Sequence, residues 1–168
     1  LQNTNPFLCM LSETHLTSEI EDSEVMMCKY SLVRCDSDSR HTGGVIIYVR
    51  NDITFDVIKT QQHGMNWALA IKITKGFVPG IYSIIYRSPN KKNKFKTFIV
   101  FLNKWLDDTL KFDTMNVITG DFNVNMKNTS KPNRVRIQLL QFETKCFYYK
   151  IILKTYSNIK SCSRKFVF

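Results

Sequence analysis

The chain has 168 residues, of which 43% are hydrophobic and 23% charged, with six glycines and four prolines. This composition excludes a disordered, collagen-like or disulfide-dense chain and leaves room for one packed domain. A net charge of +10 favours a polyanionic partner such as nucleic acid, and the lack of any apolar run of ~18–20 residues excludes a membrane-spanning segment.

Short buried strands are predicted for the N-terminal third. The apolar run that begins at Pro6 ends in polar residues, so residues 7–12 are a predicted strand and Glu13 lies at its tip. Residues 19–24 form an acidic segment that we expect to be solvated. Apolar strand patterns then flank a turn at Asn51-Asp52, so residues 45–50 and 53–58 are predicted to pair as a hairpin.

The middle of the chain predicts two more strands and one helix. Residues 67–73 and 81–86 have strand composition and are joined by turn-forming glycine and proline residues. Over residues 95–110 the apolar side chains recur every three or four positions, as expected of a helix with one buried face. This helix is predicted to pack on one sheet.

Two acids and one amide follow the ends of predicted strands. Residues 115–120 form a further apolar strand, with Asp121 and Asn123 at its end. Taken singly, an acid after a strand is more typical of a turn or a helix cap. Together with Glu13, however, these residues supply the hard oxygen ligands that suit Mg²⁺ or Mn²⁺, with positions left for water and phosphate oxygens. Because residues i and i+2 of an extended segment share a face, Asp121 and Asn123 are expected to address one substrate group.

The C-terminal part gives weaker patterns. A short helix is predicted over residues 134–142 and a strand over residues 147–153, whereas residues 156–168 are basic and show no clear period. The five cysteines of the chain are odd in number and never form a C-x-x-C pair, so neither a disulfide framework nor a zinc site is indicated. We therefore expect a reducing, intracellular environment.

Four segments become informative when they are read in order: LSETHL at 11–16, GGVIIYVR at 43–50, IYRSPN at 85–90 and ITGDFN at 118–123. Together they resemble the endonuclease/exonuclease/phosphatase superfamily, and most closely the endonuclease domain of non-LTR (LINE-like) retrotransposons. The resemblance runs from about residue 7 to about residue 125. It implies an α/β fold built as a two-layered β-sandwich flanked by helices, and the hydrolysis of DNA phosphodiesters.

The resemblance also implies roles for four residues. Glu13 corresponds to the metal-binding glutamate, and Asp121 to the aspartate near the metal that manages the attacking water or the leaving-group proton. Asn123 corresponds to the asparagine that holds the phosphate, and Tyr86 to the tyrosine that contacts the scissile phosphate. Mg²⁺ or Mn²⁺ would stabilise the charge of the transition state. The implied partner is the phosphate backbone of DNA, and the implied location is the nucleus.

Two parts of the family pattern have no match. The strand that ends in an asparagine before the glutamate and the Ser-Asp-His-type motif near the end are both missing, and no histidine occurs after His63. His15, His41 and His63 are interpreted as surface histidines. Loss of a preorganised electrostatic or acid/base group typically costs ~10²–10⁴ in rate, so we expect nicking at least ~10²-fold below that of an intact relative.

Two further functions compete with an impaired endonuclease. One is a catalytically dead nucleic-acid-binding remnant, and the other is a superfamily phosphatase acting on a phosphoinositide or sphingolipid. The first residue is not Met, so we expect the chain to begin inside a longer product. Residues 1–125 are interpreted as the domain without its first strand, and residues 126–168 as its divergent basic end.

The charge is unevenly distributed along the chain. Residues 1–60 carry nine acidic and five basic side chains, whereas the remaining residues have a net charge of +14. A cluster of lysines follows the third motif and is expected to rim the cleft where a phosphate backbone would lie; it comprises Lys91, Lys92, Lys94 and Lys96. Salt-sensitive and largely sequence-independent DNA binding is therefore expected.

Overall fold

The computed structural model describes residues 5–90, 92–123, 149–153 and 164–167. Within these residues the strands are β1 (Leu8–Ser12), β2 (Tyr30–Cys35), β3 (Val45–Arg50), β4 (Thr54–His63), β5 (Asn66–Lys75), β6 (Gly80–Arg87), β7 (Asn116–Asp121), β8 (Tyr149–Leu153) and β9 (Arg164–Val167). The helices are α1 (Asp22–Val25) and α2 (Phe95–Leu110). No helix of these ranges has the length and hydrophobicity needed to cross a membrane.

The strands form two sheets that pack face to face. One sheet has four strands in the order β2-β3-β1-β9, and the other has five in the order β4-β5-β6-β7-β8. The β6–β7 and β7–β8 pairs are parallel, and the other neighbouring pairs are antiparallel. The predicted two-layered β-sandwich flanked by helices is therefore confirmed.

Alternate side chains of the strands fill the space between the sheets. This core contains Leu8, Met10, Val45, Ile47 and Val49 from one sheet, and Trp67, Leu69, Ile71, Ile73, Tyr82, Ile84, Tyr86 and Val117 from the other. The residues between them face outward, because side chains of a strand point alternately to opposite sides. Full burial of one such aliphatic or aromatic side chain contributes about 1.5–3 kcal/mol, so these positions dominate the stability of the sandwich.

Helix α2 covers the outer face of the five-stranded sheet. Its bounds agree with the predicted helix over residues 95–110, and its apolar face is buried against β5 and β6. Ala68 and Ala70 leave room for the large helix side chains, among them Phe98 and Trp105. The indole N–H of Trp105 donates to Ser83 Oγ at 3.2 Å, which satisfies a polar group in this mostly apolar layer.

The predicted hairpin of residues 45–50 and 53–58 is wrong. Strand β3 pairs with β1 and β2, whereas β4 belongs to the other sheet and pairs with β5. The turn at Asn51-Asp52 thus carries the chain from one layer to the other, and Ile53 is buried in the core just after it. A turn signal between two strand patterns indicates that the chain changes direction, but it does not identify the strand that each one pairs with.

Strand β4 is longer than predicted and forms one edge of its sheet. It extends to His63, and its pairing with β5 shifts register between Thr54 and Phe55 and again between Val57 and Lys59. Strand β2, for which no strand was predicted, is the edge of the opposite sheet.

The predictions for the C-terminal part can be compared with the structure only where its residues are described. The strand predicted over residues 147–153 is confirmed for residues 149–153, which pair with β7. Residues 164–167 pair with β1, although the sequence showed no clear period there. The helix expected over residues 134–142, and most of the segment 126–168, lie outside the described residues.

A glycine in β7 gives the first testable prediction. Gly120 has a φ of 149°, and a Cβ atom at this position would overlap the carbonyl oxygen of Ile85 in β6. Gly120→Ala is therefore expected to lower the free energy of unfolding by more than ~3 kcal/mol in urea denaturation. The control is Gly64→Ala, where φ is 58° and no atom lies within 4 Å of the added Cβ, so only the backbone cost of ~1 kcal/mol is expected. Equal losses in the two variants would contradict the close approach of β6 and β7.

Candidate active site

The site lies where the carboxyl ends of three strands meet. Glu13 directly follows β1, Tyr86 is the second-last residue of β6, and Asp121 is the last residue of β7. Strands β6 and β7 run parallel with Tyr86 opposite Asp121 in the register. Both positions share the inward face with Val117, so both side chains point towards the sheet that contains β1.

A hydrogen bond joins the two sheets at this end. The phenol of Tyr86 donates to Glu13 Oε1 at 2.6 Å. Tyr86 is only 1% exposed, and its pKa is raised well above the usual value, first by burial, then by this hydrogen bond and by the negative charges of Glu13 and Asp121. The phenol therefore stays protonated and acts as a donor.

The loop that carries Glu13 is held in an unusual backbone conformation. Glu13 and His15 have φ values of 58° and 56°, which side-chain-bearing residues seldom adopt. The backbone N–H groups of Thr14 and His15 donate to the carbonyl oxygens of Gly44 and Gly43 at 3.4 and 3.0 Å. The two glycines have positive φ values, and a Cβ atom on Gly43 would overlap the Trp67 ring. The GG pair of the second motif thus lets this loop pack closely on the core.

Asp121 is enclosed by a second set of hydrogen bonds. Its side chain is buried, with only 2% of the residue exposed, and its Oδ1 accepts the backbone N–H of Asn123 at 3.0 Å. Asn123 has a φ of 48°, and its side-chain Nδ2 donates to the carbonyl oxygen of Arg87 at 2.6 Å. Phe122, between them, is buried on the helix side of the sheet.

Arg87 completes this arrangement and was not assigned a role from the sequence. Its guanidinium donates to the carbonyl oxygens of Phe122 and Asn123 at 3.2 and 3.3 Å, and to that of Asn93 at 2.8 Å. It also lies over the rings of Phe95 and Phe98, and desolvation lowers its pKa. The end of β6 and the segment after β7 are therefore joined in both directions: the Arg87 side chain bonds the backbone of Phe122 and Asn123, and the Asn123 side chain bonds the backbone of Arg87.

A cavity of about 670 Å³ opens next to Glu13. Its walls are formed by Glu13, His15, His41, Thr42, Tyr86, Ser88, Pro89, Asn90 and Lys92. Glu13 and Tyr86 are thus the two predicted site residues that reach the cavity, whereas Asp121 is buried outside the cavity wall and Asn123 is bonded to Arg87. His15 and His41 are exposed, as expected, but the prediction missed that both line this cavity.

The donor set suits a hard cation that keeps most of its water. No group of three or more His, Cys, Asp or Glu side chains within the described ranges is placed to hold a metal ion. Mg²⁺ differs from Zn²⁺ in that one or two carboxylates are sufficient, with water and substrate phosphate as the remaining ligands. Glu13 meets this requirement, because it is a carboxylate that lines the cavity, whereas Asp121 is outside the cavity wall.

Three solved structures of known proteins are similar to this chain. A crystal structure of truncated TDP2 from Caenorhabditis elegans has a TM-score of 0.53 and 15% identity, covering 77% of this chain and 54% of that one. The structure of the human Nocturnin catalytic domain with bound sulfate has a TM-score of 0.48 and 10% identity, covering 71% of this chain and 52% of that one. The crystal structure of an endonuclease/exonuclease/phosphatase family protein from Bacteroides thetaiotaomicron has a TM-score of 0.44 and 14% identity, covering 64% of this chain and 46% of that one.

This chain spans about half the length of each of these three proteins. No protein-family model and no curated protein sequence matches it. The likeness to TDP2 shows a shared fold, and the endonuclease/exonuclease/phosphatase-like architecture expected from the sequence is thereby confirmed.

The environment of Tyr86 predicts a pH dependence of stability. Above pH ~10 the unfolded chain releases this phenolic proton while the folded chain retains it, so the free energy of unfolding falls as the pH rises. Tyr86→Phe is expected to weaken this fall in urea denaturation measured at pH 8 and pH 11. The control Tyr30→Phe should have a smaller effect on the pH dependence of the free energy of unfolding, because Arg50 partly offsets the burial that raises the pKa of Tyr30. An unaltered pH dependence in Tyr86→Phe would show that the phenol is not buried beside carboxylates.

Proposed function

We propose that the chain is a metal-dependent phosphodiester hydrolase acting on DNA, derived from the endonuclease domain of a non-LTR retrotransposon. The observation that carries the proposal is the hydrogen bond of Tyr86 to Glu13 at the cavity, with Asp121 opposite Tyr86 on the neighbouring strand β7. Three polar groups of this kind, two of them buried, are costly to gather at a strand end unless they serve a function. A DNA substrate also favours an intracellular, nuclear location.

The position of the four sequence motifs supports this proposal. The LSETHL segment is hydrogen-bonded to the GG pair of the second motif, as described for Thr14 and His15. The IYRSPN segment contacts the first motif through Tyr86 and the fourth through Arg87. Segments that are up to about a hundred residues apart in the sequence are therefore linked to one another next to the cavity that the first and third motifs line, as expected if they form one active site.

Each residue has a proposed task. Glu13 would hold Mg²⁺ or Mn²⁺, which when bound supplies positive charge to the phosphate oxygens. Tyr86 remains protonated and keeps Glu13 oriented towards the cavity. The resemblance implies that Asp121 manages the proton of the attacking water or of the leaving group, and the hydrogen bond from the backbone N–H of Asn123 fixes the orientation of its carboxylate. The resemblance implies that Asn123 binds phosphate, but because its amide is bonded to Arg87 we propose that it positions Asp121 instead.

A DNA-binding chain that does not cleave is the second candidate. All three histidines of the sequence precede residue 64, so the family's C-terminal histidine has no counterpart. This observation favours binding over rapid catalysis.

Nicking of supercoiled plasmid distinguishes the two candidates. With Mg²⁺ or Mn²⁺ we expect slow nicking that Glu13→Gln lowers a further ~100-fold or more, because Gln keeps the size of the side chain but loses the charge that holds the ion. Calorimetry with Mn²⁺ alone should give a weak binding heat that is absent in Glu13→Gln. DNA binding in EDTA should change less than ~3-fold.

The matched control for this experiment is Glu19→Gln. It makes the same change at an exposed residue that pairs with Arg40 on the surface. Nicking that is equal in Glu13→Gln and the unchanged protein would exclude Glu13 from the site. Complete absence of nicking, with DNA binding retained, would favour the non-cleaving candidate.

The basic part of the chain predicts that binding depends on salt. The net charge of +14 after residue 60 implies that several phosphates are neutralised. The logarithm of the binding constant should therefore fall by about 0.9 for each neutralised phosphate per log unit of salt, with similar values for duplexes of different sequence. Binding that is unaffected between 50 and 200 mM salt, concentrations over which such contacts lose roughly 10³-fold or more, would contradict this mode of recognition.

A further inference from the structure

We propose that His15, His41 and Lys92 form a phosphate-binding subsite that holds one phosphodiester of a nucleic-acid backbone beside Glu13. This inference rests on the proposed function, because it identifies how the substrate of that site is held. It assigns a binding role to two histidines that the sequence alone indicated only as surface residues.

The three residues reach the same cavity from different parts of the chain. His15 lies in the loop after β1, His41 in the loop between β2 and β3, and Lys92 in the connection between β6 and α2. All three are exposed, so their polar groups are available to a ligand. Glu13 is the one acidic residue among the described residues of the cavity wall, and its Oε1 already accepts the Tyr86 hydroxyl. The accessible groups of the wall therefore favour an anion.

Hydrogen bonds connect the loops that carry these side chains. The backbone N–H of His15 donates to Gly43, two residues after His41. Thr42 Oγ1 donates to Ser88 Oγ at 3.4 Å, which joins the His41 loop to the segment after β6. The backbone N–H of Lys92 donates to Asn90 Oδ1 at 2.9 Å in that same segment. The backbone of the loops that carry the subsite is thus held in place, which lowers the entropic cost of binding.

The chemistry of the three groups matches a phosphodiester. A neutral imidazole donates one N–H and a protonated one donates two, while the lysine ammonium adds a positive charge and three donors. The two free oxygens of a phosphodiester accept several such bonds, and its negative charge strengthens them. A cavity of about 670 Å³ is much larger than one phosphate group and leaves space for the sugar and the neighbouring nucleotide.

The test measures binding without cleavage. A fluorescein-labelled 16-base-pair DNA duplex is titrated with the full chain in EDTA, where no metal supports hydrolysis. We expect His15→Ala, His41→Ala and Lys92→Ala each to weaken binding ~3–10-fold, since each loses a hydrogen bond to a charged group. Lys92→Ala should also reduce the salt dependence by about one neutralised phosphate.

Two variants serve as matched controls. His63→Ala removes an exposed imidazole that stacks on Phe101 outside the cavity wall. Lys29→Ala removes an exposed charge just before β2, whereas the His41 loop follows the other end of that strand. Both should change the affinity less than ~2-fold. Equal effects in the control and cavity variants, or no effect in the cavity variants, would overturn the subsite.

Measurements of nicking and of binding together distinguish failure of this inference from failure of the proposed function. If the unchanged protein nicks DNA with metal, and all three cavity variants bind DNA in EDTA as tightly as it does, the proposed hydrolase function is retained and the subsite is excluded. If these variants alone lose affinity for DNA, and the unchanged protein does not nick DNA, the subsite is supported and the proposed hydrolase function is excluded. Polyphosphate should compete with the duplex for the unchanged protein, and duplexes of unrelated sequence should bind equally. Strong preference for one sequence would contradict recognition through the backbone.

Discussion

The hydrogen bond between Tyr86 and Glu13 depends on how closely the two sheets approach at one end of the sandwich. Tyr86 belongs to the five-stranded sheet and Glu13 follows a strand of the other, so the 2.6 Å distance requires both layers to be in register. The glycines support this approach from two sides: Gly43 allows the loop to lie against the core, and Gly120 allows β7 to lie against β6. The cavity, the buried acid at the end of β7 and the surrounding loops all follow from that alignment.

Much of the fold was predictable because its signals are local. Burial determines which positions of a segment are apolar, so it can be read from the segment's own sequence. Examples are the three- and four-residue spacing of apolar side chains in α2 and the continuous apolar runs of β1 and β7. Strand β2 was missed because it lies at a sheet edge, where burial is partial and the pattern is weak. The pairing of β3 was predicted wrongly because partner choice depends on contacts between distant residues.

The candidate site was predictable only in part, for a similar reason. Glu13 and Asp121 could be recognised by their place at strand ends, and the order of the motifs linked them to Tyr86. The position of His41 in the same cavity depends on the path of the loop after β2, which has no periodic signal. The role of Arg87 likewise depends on three carbonyl groups that come together only in the folded chain.

The pairing of β1 with β9 has a consequence for the order of folding. Strand β1 lies between β3 and β9, so its sheet is complete only after residues 164–167 have left the ribosome. Until then the edge of β1 that faces β9 exposes unpaired backbone groups, which can associate with other strands. Such long sequence separations also slow folding, because the entropy of closing the loop is lost before the contacts form. Strand β1 is therefore expected to complete its pairing later than helix α2 forms, because the contacts along that helix join near neighbours in the sequence.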